Sequence, residues 1–132
     1  MTQCTVRSSG APERDDPPLD VETMRTTARR LLVADAEPLG LDELDTYLST
    51  LRGHMRLLIP EVEMAAGRQP KDDIPRYCAL ACVGEARVKL GIEVGAGLNH
   101  GIAHARRLAR SVNALCDHYE NLGVARRPGV GR

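Results

Sequence analysis

An all-α fold, an antiparallel up-down bundle of four helices, is what this sequence predicts, and three observations carry the prediction. The stretch Gly97–Gly123, GLNHGIAHARRLARSVNALCDHYENLG, repeats Leu98, Ala105, Val112 and Tyr119 at heptad spacing. Leu108, Leu115 and Leu122 form a second row, and Ile102, Ala109 and Cys116 widen the stripe. That is the pattern of an amphipathic helix of about seven turns with one apolar seam. Earlier segments carry the same three-and-four rhythm, and none shows the alternation of a strand. Finally, the 132-residue chain has no Phe, no Trp and three Tyr, so its core must come from Leu, Val, Ile, Met and Ala, which suits close helix packing.

Residues 1–18, rich in Ser, Gly, Pro and charge, read as a disordered tail, and the bundle domain occupies 19–123. The first helix spans about 20–36. Asp20 caps its free N–H groups, Leu19 and Met24 have the spacing of a hydrophobic staple, and Pro38 and Gly40 end it. Its buried face is Val21, Met24, Ala28, Leu31 and Leu32. The second helix, 41–66, is the most regular, with Leu41, Leu44, Leu48, Leu51, Met55, Leu58, Val62 and Ala65 at alternating spacings of three and four. Pro60 removes one backbone donor and crowds the carbonyl of Arg56, but the apolar rhythm continues in phase beyond it, which predicts one kinked rod. The polar loop Gly67–Asp73 leads to a third helix, 74–91, capped by Asp72 or Asp73, with Pro75 in its first turn. Ala79, Val83, Ala86 and Leu90 form its core row, with Leu80 and Tyr77 beside them. The fourth helix covers 97–122. Gly123 stands where helices turn left-handed, with Val124 touching Tyr119, and residues 124–132 follow as a basic flexible tail.

Composition removes several classes of function. Lys plus Arg balances Asp plus Glu at 18 each, so no net field favours nucleic acid or an anionic membrane. No apolar run approaches the length of a membrane span, and the N-terminus lacks a signal-peptide core, so a cytoplasmic location is expected. Four cysteines, Cys4, Cys78, Cys82 and Cys116, make no disulfide framework in a reducing compartment.

Several residue groups resemble reactive centres until their geometry is considered. In Cys116-Asp117-His118, successive helix residues point about 100° apart, so the three side chains diverge. Cys116 then belongs to the apolar stripe and His118 to the other side. Cys78 and Cys82, like His100 and His104, share a helix face at four-residue spacing, and two such pairs could supply tetrahedral zinc. A hairpin closing at residues 92–96 puts Cys82 at the level of Arg106 and Cys78 at that of Arg110, about 9 Å out of register with the histidines at 1.5 Å per residue. A Cys78–Cys82 disulfide is excluded because helix neighbours hold Cβ atoms about 5–6 Å apart, against the 3.8 Å or so a disulfide needs. Asp72-Asp73-Ile74-Pro75-Arg76 resembles half of an aspartate-rich magnesium motif, but Arg76 stands at the next acidic position, and helix capping accounts for the aspartates. No di-iron Glu-x-x-His pair, glycine-rich phosphate loop or nucleophile elbow occurs. No catalytic residue, cofactor or metal is therefore expected.

One polar row remains. His100, His104, Arg107, Ser111 and His118 follow three-four spacing on the last helix, with Arg106 and Arg110 beside them. Such a row is a solvated face or a docking surface for an acidic partner, pH-sensitive through its histidines. The long helices and absence of a compact helix-turn-helix speak against DNA.

The segments HMRLLIPEVEMAA (His54–Ala66), RYCALACVGEARVKL (Arg76–Leu90) and HARRLARSVNALCDHYENLG (His104–Gly123) resemble an actinomycete family of unknown function labelled as natural product biosynthesis proteins. The run Leu115–Leu122 is the most specific part. The resemblance implies a small soluble helical bacterial protein associated with specialised metabolism, and brings no reaction, catalytic residue or cofactor with it. The expected function is a non-catalytic accessory or interaction module whose partner is a second copy or another helical or acidic protein. The alternative is a small enzyme or ligand carrier with a pocket near Pro60, using His54, Glu61, Glu63 and Tyr77. A transcription-related regulator is the second alternative.

Overall fold

The computed structural model describes residues 19–33, 39–93 and 97–126, and these form four helices with no strand among them. They are α1 (Val21–Leu32), α2 (Leu41–Gly67), α3 (Ile74–Leu90) and α4 (Leu98–Arg126). The proposed tail 1–18, residues 34–38, 94–96 and 127–132 lie outside the described residues.

The helix starts follow their local chemistry. Asp20 accepts a hydrogen bond from the Thr23 N–H at 3.1 Å and another from the Thr23 hydroxyl at 2.7 Å, tying down the first turn of α1. At α3 the Asp73 carboxylate accepts from the Arg76 N–H at 2.9 Å, and Pro75 occupies the first turn as expected. Gly97 precedes α4 with φ of 101°, a conformation that costs a glycine little, and its carbonyl accepts the first helical bond from Gly101 at 3.2 Å. Pro60 is exposed on a helix that runs unbroken from Leu41 to Gly67, so the carbonyl it leaves unbonded can turn to water.

Two ends differ from expectation. Helix α1 stops at Leu32 rather than near 36: Val33 is extended, and Arg106 of α4 donates from Nε to the Leu31 carbonyl at 3.2 Å. A distant arginine thus satisfies one of the orphan carbonyls of the last turn. Helix α4 passes straight through Gly123 to Arg126, and among the described residues only Gly97 has a positive φ. Glycine at a helix end permits a left-handed cap without imposing one.

Contacts between elements fix the topology. Arg25 reaches Asp117 at 2.8 Å and Glu120 at 2.6 Å, while Leu31 meets Arg106, so α1 and α4 are antiparallel. Arg87 pairs with Glu63 at 2.6 Å across α2 and α3. The broadest contact joins α2 to α4, which run parallel, whereas α1 and α3 do not meet. The bundle is therefore flattened, with two long helices touching along its middle. Gly101 shows how close they come: a Cβ there would lie 2.5 Å from Cδ2 of Leu44. Ala105, Ala109, Val112 and Cys116 continue the narrow surface of α4, all fully buried. Opposite them α2 buries Leu51, Met55, Leu58 and Val62. By contrast, α3 buries only Ala79, Val83 and Ala86.

Because Gly123 lies within the helix and nothing stands within 4 Å of a Cβ placed on it, Gly123→Ala is expected to raise unfolding stability by about 0.5–1 kcal/mol. Urea titration measures this; a loss of stability would show that the glycine serves as a left-handed cap instead.

Candidate functional site

The polar row expected along α4 is divided by the fold. His100, Arg106, Arg107 and Arg110 are exposed and His118 is half-buried, but His104 is only 2% exposed and Ser111 is also buried. Positions 104 and 111 lie next to the column of Leu108, Leu115 and Leu122, and contact on more than one side of α4 widens its buried arc enough to enclose them. Ser111 accepts a hydrogen bond from Lys89 of α3 at 3.3 Å. Arg106 is engaged by the end of α1. As an exposed docking surface, the row therefore loses His104 and Ser111 to the interior and Arg106 to a helix cap.

His104 carries an electrostatic cost. Both ring nitrogens are buried without a hydrogen-bond partner among the described residues. Burial pushes its pKa down, and the cations of Arg52 on α2 and Arg107 on α4 push it further in the same direction. Burial likewise lowers the pKa of His54, against the pull of Asp20.

The groups considered for nucleophilic or metal chemistry diverge. Cys116 is fully buried, and desolvation raises its thiol to about 11, leaving little thiolate at neutral pH. Its neighbour Asp117 is bound to Arg25. Cys82, raised chiefly by burial, feels the charge of Asp117, and Lys89 reaches Ser111, so α3 lies farther along α4 than a tight hairpin places it. Instead of facing Arg106, Cys82 sits near Asp117, which widens its separation from His100 and His104. Among the described residues no group of three or more His, Cys, Asp and Glu could hold a metal ion.

Nor do the four residues considered near Pro60 converge. Glu63 is paired with Arg87, whose hydrogen bond holds the carboxyl below its usual range. His54 feels Asp20 at the start of α1, Glu61 is half-buried, and Tyr77 projects from the far side of α3. A shallow depression of about 370 Å³ lies elsewhere, lined by Asp42, Glu43, Thr46 and Tyr47 on the first turns of α2. Acidic residues suit a helix N-terminus, and Glu43 reaches back to the Gly40 N–H at 3.5 Å.

The most distinctive surface is one that the sequence pattern did not single out. Ile74 and Tyr77 are each 74% exposed and Val88 is 68% exposed, all on the outer side of α3. Tyr77 was expected beside the core row and is turned away from it. Cys78, Ala81 and Gly84 are exposed between them, Ile92 follows beyond the helix, and Glu85 is the one charge on the strip. In projection this strip lies opposite Ala79, Val83 and Ala86. The signal available in the sequence was that α3 is apolar on two faces; large residues on both led Tyr77 to be assigned inward.

A family of unknown function (DUF6415) matches residues 22–124, which takes in all four helices except their extreme ends. No curated protein and no solved structure matches the chain. No described helix is long and apolar enough to cross a membrane.

The burial of His104 has a pH consequence. The unfolded chain takes up a proton near the ordinary histidine value of about 6.5, whereas the folded chain resists it. Stability is therefore full above that value and falls as pH drops through it toward the lower folded pKa. Replacing the unpartnered ring in His104→Leu is expected to add about 1–3 kcal/mol at pH 7.5 and to flatten the decline toward pH 5. Denaturant titrations across that range measure both effects, and an unchanged pH slope would remove His104 as its source.

Proposed function

The chain belongs to that family of unknown function, and we propose that it is a small non-catalytic interaction module whose outer α3 face docks on a protein partner. The observation that supports this reading is the strip Ile74, Tyr77, Cys78, Ala81 and Val88, apolar and exposed on a regular helix whose opposite face, Ala79, Val83 and Ala86, is buried. A contiguous apolar face of this kind costs free energy in water and marks an interaction surface. Docking is assigned to α3 rather than to the α4 row because a charged surface gains little from solvent release and the α4 row has lost His104, Ser111 and Arg106 to the fold. On this reading the module serves specialised natural product metabolism of an actinomycete and acts in the cytoplasm, and the resemblance described above supports the metabolic part of it.

The double variant Tyr77→Glu, Val88→Glu tests the reading. Both sites are exposed, so the midpoint of thermal unfolding is expected to move by no more than about 0.5 kcal/mol equivalent. Capture of the stoichiometric partner from the native cell should be lost. Recovery of the same partner in the same yield would contradict the assignment of the face.

A further inference from the structure

We propose that Arg52, Lys89 and Arg107, one each from α2, α3 and α4, form a binding site for the phosphate group of a small molecule, set over the buried imidazole of His104. Register brings the three cations together. Leu44 of α2 lies against Gly101 of the parallel α4, so about two turns farther on Arg52 comes level with Ala109. Arg52 precedes Glu63 by about three turns and so shares its side of α2, the side on which Glu63 meets Arg87 of α3. Arg107 stands one turn before Ser111, to which Lys89 of α3 donates at 3.3 Å. Side chains on a helix lean toward its N-terminus, which carries Arg52 and Arg107 back toward the level of His104. Both stand close enough to the ring to oppose its protonation.

No carboxylate answers these charges. Among the described residues neither Arg52 nor Arg107 makes an ion pair, and Glu63, on the same side of α2, is taken by Arg87. The Ser111 hydroxyl occupies one N–H of Lys89 and leaves its charge uncompensated. Beside them His104 is 2% exposed, and neither ring nitrogen has a hydrogen-bond partner among the described residues. Cations gathered without an anion and a buried imidazole without a partner are separate costs. One anion lying between the arginines offsets both, because it pairs with the guanidiniums and lets the ring carry a proton. Three cationic groups from three helices suit more than one negative charge and more than two oxygens. A carboxylate has a single charge on two coplanar oxygens, whereas a phosphate monoester has nearly two charges spread over three, matched to the paired donors of arginine. Arg107 is exposed and Arg52 and Lys89 are half-buried, so the group enters from the surface. A balanced net charge disfavours a long polyanion such as nucleic acid, which leaves a small phosphomonoester as the occupant.

The test uses the full chain with two probes: sulfate, a dianion whose charge is constant across the neutral range, and glycerol phosphate. About 20 mM of either should raise the midpoint of thermal unfolding by about 3 °C over sodium chloride of equal ionic strength. Proton NMR should show the ring pKa of His104 rising by about 0.5 or more as the probe saturates. Arg52→Gln, Arg107→Gln should abolish both responses. Arg29→Gln, Arg68→Gln, which removes as much charge from exposed sites on α1 and just beyond α2, should keep them. Probe and chloride are compared within each variant, so a change in baseline stability does not enter. An equal rise in both double variants, an unmoved His104 pKa, or no rise in the unaltered protein overturns the site. A response to sulfate that glycerol phosphate does not reproduce overturns the phosphate class.

Discussion

The close parallel contact between α2 and α4 is the constraint from which the remaining architecture follows. In a square up-down bundle these two helices would stand diagonally across a shared core. Here small side chains on α4 let them touch, with Gly101 admitting Leu44 and Ala105 and Ala109 carrying the narrow surface onward. With that diagonal closed, the shorter helices lie on the flanks, where among the described residues α1 and α3 have no contact with each other. Helix α3 packs on its flank with Ala79, Val83 and Ala86 buried and Leu80, Cys82 and Leu90 against the core at its edges, while its bulky Ile74, Tyr77 and Val88 face water.

The same contact accounts for where the polar groups of α4 lie. Helix α4 is covered along a broad arc, which takes His104 and Ser111 out of solvent while leaving Arg107 and Arg110 at the surface. A hydroxyl at position 111 finds Lys89, but the imidazole at 104 finds no partner among the described residues, and burial and two nearby cations lower its pKa. Such a group destabilises the fold without giving it a proton-transfer partner. Cys116 is equally isolated, its thiol raised by burial and its sequence neighbours directed to other elements.

Much of the fold was legible because it depends on local rules. Asp20, Asp73 and Pro75 announce helix starts whatever lies nearby, and the continuous rhythm of α2 through Pro60 marks one rod. Features set by distant neighbours were not legible. The last turn of α1 is capped by Arg106, 75 residues away. Gly123 is compatible with a cap or a helix interior, and its identity alone does not choose between them. His104 occupies the edge of the apolar stripe, where burial depends on how many helices α4 touches. The outer face of α3 was obscured because apolar residues on two sides of one helix can be assigned inward in either order. The register of α3 on α4 escaped prediction because a connection of several residues need not close as a tight hairpin.

Native-state amide hydrogen exchange tests the central role of the α2–α4 contact most directly, since it ranks helices by the free energy needed to open them. The slowest amides should lie in Leu51–Val62 and Leu108–Cys116 and exchange only on global unfolding, with those of α1 and α3 opening earlier. Greater protection of α1 or α3 than of those two segments would contradict a fold built around α2 and α4.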